Sequence, residues 1–171
     1  MSYDPFKLFK TDEVAEVKGK AFTDEFGGGA TFIIARAGNP SYQREIQAEY
    51  KAHEYTLQRG EAKDATDEEK AAGAALSFKL IGRVMARTIL LGWDDRVKPG
   101  GEDYPYSHDN AEKLLSMKDF REIIAGIAGD FRKYRAEAEA ANEKNFATTS
   151  AGTSSGGQAS TSSSNESETK A

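Results

Sequence analysis

Cysteine is absent from this 171-residue chain. That removes disulfides, thiolate metal ligands and thiol nucleophiles together, and it fits a reducing compartment. Histidine is scarce, with His53 and His108 far apart and in no H-x-x-x-H spacing, so a zinc site would need scattered carboxylates. No metal or other cofactor is expected. There is one tryptophan, Trp93, and only four prolines. No apolar run approaches the ~20 residues that cross a bilayer, and Met1-Ser2-Tyr3-Asp4-Pro5 lacks a basic region followed by an apolar core. A cytoplasmic protein with no membrane partner is expected. The chain also lacks excess positive charge: at a net charge of −5 it has no concentrated basic surface to release phosphate counterions, which argues against nucleic acid. Arg83 with Arg87, and Arg132-Lys133-Tyr134-Arg135, are basic but interleaved with acids. They read as solvated helix faces.

What is present suits one modest domain: 38% hydrophobic and 30% charged residues allow a small core under a densely charged surface. The sharpest composition change follows Phe146. Residues 147–171 hold Ser, Thr, Gly, Ala and Asn with no large apolar side chain, and so predict a disordered Ser/Thr/Gly tail behind a single domain of residues 1–146.

Within that domain the patterning is mainly α with a small N-terminal β-hairpin at about residues 14–37. Glu16 to Phe22 reads as a short strand and Thr31 to Arg36 as a stronger one, joined through Gly27-Gly28-Gly29. Asn39-Pro40 opens a helix whose stripe is Tyr42, Ile46, Tyr50, His53 and Leu57, with Gly60 as its stop. Thr66-Asp67-Glu68-Glu69 has the form of a capping box. It predicts a long central helix through Leu76, Leu80, Ile81, Val84, Met85 and Ile89 to Leu91, ended by Gly92, with close packing at Gly73 and Gly82. A loop runs from Trp93 to Tyr106, Ser107 caps a short helix to Leu115, and Phe120, Ile123, Ile124, Ile127, Phe131 and Tyr134 mark a last helix reaching about Asn142.

No arrangement of these residues points to catalysis. Gly27-Gly28-Gly29-Ala30-Thr31 leads into a strand and lacks the Gly-Lys-Ser/Thr of a phosphate loop. Asp94-Asp95 and Glu102-Asp103 are adjacent acids on a polar loop, ordinarily hydrated and independent. No G-x-S-x-G elbow occurs. The residues alone describe a non-enzymatic helical binding domain, with the Trp93 to Tyr106 loop as the site if it were instead a small enzyme or regulator.

Several segments taken in order carry a family resemblance. They are Phe32 to Pro40 with Tyr42, then Thr88-Ile89-Leu90-Leu91-Gly92-Trp93, then Tyr106-Ser107-His108-Asp109-Asn110-Ala111 with Leu114-Leu115, Asp119-Phe120, and Asn142-Glu143-Lys144-Asn145-Phe146. Together, over residues 32 to 146, they resemble the tail assembly chaperones of long-tailed bacteriophages. The resemblance implies a protein that binds the tape measure protein in the host cytoplasm, keeps it soluble, helps recruit tail tube protein, and is absent from the mature virion. Self-association is a further expectation. A permanent minor tail or completion protein is the alternative. The candidates for partner contact at the motif positions are Arg36, Trp93, Asp94 and Tyr106.

Overall fold

The structure, a computed structural model, describes Phe6, residues 9–23 and residues 25–135. The expected tail of 147–171 and the expected helix end near Asn142 lie outside the described residues. The fold is mainly helical with a small antiparallel sheet near the N-terminus. Among the described residues, no helix is long and apolar enough to cross a membrane.

The stretch expected to be one strand from Glu16 to Phe22 divides in two. Asp12 Oδ1 accepts from the Val14 and Ala15 amides at 2.8 and 3.2 Å and nucleates a short helix, α1 (Glu13–Lys18). Strand β1 is only Lys20–Phe22. Gly19 at φ 79° makes the corner between them; a Cβ there would stand 2.9 Å from Ile33 Cγ2, so the turn needs glycine. Strand β2 (Phe32–Ile34) pairs antiparallel with β1 in the register Lys20 to Ile34 and Phe22 to Phe32. The link passes through Gly27, Gly28 and Gly29, all at positive φ.

After Asn39 the chain forms α2 (Pro40–Ala52) and α3 (Glu54–Glu61), not the single helix expected. His53 causes the break. At φ −118° and ψ 17° it leaves the helical path, and its Nδ1–H donates to the Glu49 carbonyl at 2.9 Å, capping α2 from the side chain. Gly60 is therefore inside α3 rather than a stop, and it packs against Gly73 of α4 (Asp67–Thr88). The capping box forms at the start of α4: Thr66 Oγ1 accepts from the Glu69 amide at 3.2 Å, and Glu69 accepts from the Thr66 amide at 2.8 Å. Arg59 binds the same carboxylate at 2.8 Å and, as the largest influence, holds it below the usual carboxylate range.

Helix α4 ends at Thr88, three residues before its expected limit. Leu90–Trp93 instead forms β3, antiparallel to β2, making the sheet order β1-β2-β3. Thr88 Oγ1 turns back on the Val84 carbonyl at 2.7 Å, and the Ala35 amide donates to the Ile89 carbonyl at 2.8 Å, so the open edge of β2 takes over the backbone groups that the helix releases. A bulge lies where the register shifts between Ile33 and Ile34.

Helix α5 (His108–Leu115) begins at Ser107, whose Oγ accepts from the Asn110 amide. Helix α6 (Lys118–Gly129) stops well before its expected end, because Asp130 caps a 3-10 turn at Phe131–Tyr134. The Asp130 carboxylate binds Arg132 through Nε and Nη2 at 2.9 and 3.0 Å and is lowered chiefly by that contact. Tyr134 consequently turns inward instead of continuing a helical stripe.

The core lies between the inner sheet face and the C-terminal half of α4, with α5 and α6 closing it. Phe32, Ile34, Met85, Ile89, Leu90, Leu115, Ile124 and Ile127 are buried in one cluster. Helices α2 and α3 contribute no buried residue. The two α4 glycines that suggested close packing differ in kind. A Cβ on Gly73 would meet the Gly60 Cα at 3.1 Å, while one on Gly82 would find its nearest neighbour at an ordinary 3.7 Å. Gly73→Ala is thus expected to cost about 1–3 kcal/mol by forcing α3 and α4 apart, and Gly82→Ala to add up to about 1 kcal/mol from helix propensity. Urea unfolding of the two variants checks the opposite signs; equal changes would contradict the packing described.

Candidate functional site, an apolar groove beside the glycine hairpin

The structure brings together three of the four residues singled out from sequence. Trp93 ends β3, its Nε1–H donates to the Tyr104 carbonyl at 2.6 Å, and its ring stacks on Tyr104 with centroids 5.9 Å apart. Tyr106 meets Trp93 edge-on at 5.0 Å and donates from its hydroxyl to the Leu90 carbonyl at 2.9 Å; burial pushes its phenol pKa up. The Asp94 amide donates to the Thr31 carbonyl at 3.0 Å, and its Oδ1 accepts from the Arg96 amide at 3.2 Å. Each of these side chains has its polar atoms turned to its own chain. They fasten the 94–106 loop to β3 and α4. Arg36 lies beyond the other end of β2, ion-paired with Glu16, and its Nη1 donates to Thr11 Oγ1 at 3.3 Å.

The loop acids are similarly engaged: Asp103 takes Lys98 Nζ at 2.7 Å, which lowers its carboxyl pKa. His108 packs edge-on to Tyr106 at 6.1 Å. Among the described residues, no group of three or more His, Cys, Asp or Glu side chains could hold a metal ion. The basic pairs read as solvated faces meet acids: Arg83 reaches Glu49 and Glu112 at 3.7 Å, and Arg87 reaches Glu49 at 3.6 Å.

Next to this fastened loop is a groove of about 370 Å³ lined by Phe26, Gly27, Ala30, Phe32, Val97, Leu114, Phe120 and Ile123. Its wall is aromatic. Phe26 lies 4.3 Å from Phe32 and 5.8 Å from Phe120, ring centre to ring centre, and Phe32 touches Phe120 edge-on at 5.6 Å. Two contacts hold the hairpin tip in place: Arg96 Nη1 donates to the Gly29 carbonyl at 2.6 Å, and Lys133 pairs with Glu25. Ile123 is 44% exposed at the rim, and Met117, on the turn between α5 and α6, is 51% exposed.

Every lining side chain is apolar. Small-molecule sites combine apolar walls with a few placed polar groups that fix orientation; here no lining side chain supplies one. The groove is suited to aliphatic or aromatic groups. Sequence reasoning missed it because Phe120 and Ile123 fall on the same periodic stripe as the truly buried Ile124 and Ile127. The available signal was the breadth of that stripe, with two isoleucines in succession at 123 and 124.

Residues 37–145 match the model of a family described as YdaY prophage protein. The chain belongs to that family. It is therefore phage-derived. The family span starts just after β2 and includes Val97, Leu114, Phe120 and Ile123, whereas Phe26, Gly27, Ala30 and Phe32 come from the hairpin that precedes it. Neither the curated proteins nor the solved structures give a match.

Proposed function

We propose that this phage-derived protein is a tail assembly chaperone that binds the tape measure protein in the host cytoplasm and works without catalysis or cofactor. The observation that carries the reading is the groove whose lining side chains are all apolar, open at the exposed Ile123. An amphipathic helix presents apolar side chains at i, i+3 or i+4 and i+7, and a groove of this chemistry receives them. Seating one leucine-sized side chain contributes about 1.5–3 kcal/mol. Coverage of a few such side chains keeps a long helical protein from aggregating until tail tube protein takes over. The ordered motif set from residue 32 to 146, and membership of a prophage family, support the same reading.

Co-expression with the tape measure protein of the same genome tests it. The wild type is expected to raise the soluble fraction of that protein and to co-purify with it. Ile123→Asp places a charge on an exposed helical position, so the fold is retained by circular dichroism, while co-purification falls at least about tenfold, the equivalent of 1.4 kcal/mol. No gain in solubility with the wild type would sink the proposal. Mass spectrometry of purified particles separates the alternative: persistence in mature virions would mark a permanent tail component.

A further inference from the structure

Resting on the chaperone reading and deepening it, we infer that the groove beside the hairpin selects a cationic segment: a helix of the tape measure protein whose apolar anchor fills the groove while a Lys or Arg one turn along meets Asp119. The groove itself carries no charge, since every side chain in its lining is apolar. Any preference of that kind is therefore set at its edges, where two carboxylates remain after each neighbouring cation has found an acid or a carbonyl of its own chain.

The first edge is α6. Asp119 and Ile123 are four residues apart, so they lie on one helical face with about 5–6 Å between their Cβ atoms. Both are exposed. Among the described residues, no salt bridge engages Asp119. The cations near it in sequence are turned elsewhere. Lys118 pairs with Glu122 at 3.8 Å along another face of α6. The Arg121 guanidinium lies 3.1 Å from the centre of the Phe78 ring on α4 and donates to the Phe78 carbonyl at 2.7 Å. Lys113 of α5 lines a separate cleft with Phe78 and Gly82.

The second edge is the loop that brings Val97 to the groove. It holds four acids, Asp94, Asp95, Glu102 and Asp103, against two bases, Arg96 and Lys98. Asp94 takes Arg96 at 3.7 Å, and Asp103 takes Lys98 at 2.7 Å. Arg96 also gives an N–H to the Gly29 carbonyl. Asp95, exposed and two residues before Val97, is left without a salt bridge among the described residues. At the hairpin, Glu25 holds Lys133. Asp95 and Asp119 are thus the charges left over, on two elements that flank an uncharged groove. An anionic segment would be repelled from both, and a cationic one gains up to about fivefold in affinity from each exposed pair.

Retention of the co-expressed tape measure protein on the immobilised full chain, followed as NaCl is raised, is the test. Between about 0.1 M and about 1 M the screening length falls from about 10 to about 3 Å, and wild-type affinity is expected to fall about tenfold. At low salt Asp119→Asn weakens binding about two- to fivefold, and Asp119→Lys about tenfold, with circular dichroism unchanged. Asp95→Asn adds a further loss of up to about fivefold to Asp119→Asn, and the double variant loses most of the salt dependence, which a change in packing alone would not remove. Glu122→Gln, on another face of α6, binds as the wild type does. Binding indifferent to salt and to both asparagine variants overturns the inference, as does an Asp119→Lys variant that binds more tightly than the wild type. The chaperone reading survives either result as long as Ile123→Asp still releases the tape measure protein. A wild type that brings no gain in its solubility and retains none of it overturns that reading, and the inference with it.

Discussion

Tyr134→Ala is expected to lower unfolding free energy by about 3–5 kcal/mol, the range for emptying a buried aromatic site. Against the roughly 5–15 kcal/mol that holds a domain folded, this removes a large share. The ring is fully buried and meets Phe22 edge-on at 5.9 Å. Its hydroxyl donates to the Ile34 carbonyl at 3.2 Å, and its own carbonyl accepts from the Asp12 amide at 2.9 Å, so one residue joins the sheet to the start of α1. Tyr134→Phe keeps the ring and loses one hydrogen bond, for about 1 kcal/mol. Urea unfolding followed by circular dichroism separates the two. Burial also raises the Tyr134 phenol pKa. A folded pKa above the unfolded one means stability that is complete below the ordinary tyrosine value of about 10 and declines as pH rises past it. Tyr134→Phe therefore flattens the alkaline loss of stability, although Tyr42 and Tyr106, also raised by burial, retain part of it. An alanine variant no less stable than the phenylalanine one would contradict the packing.

That such a residue ends a 3-10 turn was not legible in sequence, where Tyr134 continues the period of Phe120, Ile127 and Phe131. Periodicity reports which residues seek the interior, and it cannot report that Asp130 will cap a new turn and change direction. The same limit applies to Leu90-Leu91-Gly92-Trp93. A short apolar run suits a buried helix end or a strand, and the open edge of β2, nearly sixty residues earlier, decides for the strand. Caps were legible because they are local: Asn39, Ser107, and Thr66 with Glu69 each bond within three residues of themselves. His53 is local too, but its ring bond to the Glu49 carbonyl is outside the usual vocabulary of helix stops.

The candidate groove was less legible than the fold. Trp93 and Tyr106 drew attention as aromatic residues beside a loop, yet both use their polar atoms on nearby carbonyls and serve to position the loop. Ile123 carried no mark of exposure, since one residue on a wide apolar stripe looks like its neighbours. Only the arrangement of hairpin, α5 and α6 leaves it at an open edge. The hairpin half of the groove precedes the span shared with the prophage family, so the two walls come from parts of the chain with different relationships to it.

Asn39→Asp is the sharper probe of how the fold is joined, because at an ordinary helix N-cap the exchange is nearly neutral. Here Asn39 is buried, with 4% of its surface exposed, and uses both ends of its amide. Oδ1 caps α2 by accepting from the Tyr42 amide at 2.9 Å, and Nδ2 donates to the Arg36 carbonyl at 2.9 Å and the Thr88 carbonyl at 3.1 Å. Aspartate preserves the cap and loses both donors, leaving a carboxylate against two carbonyl oxygens. The expected loss is about 2–4 kcal/mol at neutral pH, combining buried acceptors left unpaired with repulsion. Asn39→Ala is expected to cost a similar amount, through loss of the cap as well as the donors. The two differ in pH dependence. Acid gives the aspartate an O–H donor and narrows its deficit relative to wild type, while the alanine deficit stays constant over the same interval. Chemical unfolding at neutral and mildly acid pH reads this directly, and an aspartate variant as stable as wild type at neutral pH would show that the Thr88 contact holds nothing. Since Thr88 is the last residue of α4 before β3, slackening there is transmitted to Leu90 and Trp93, and from them to the loop that forms one side of the groove.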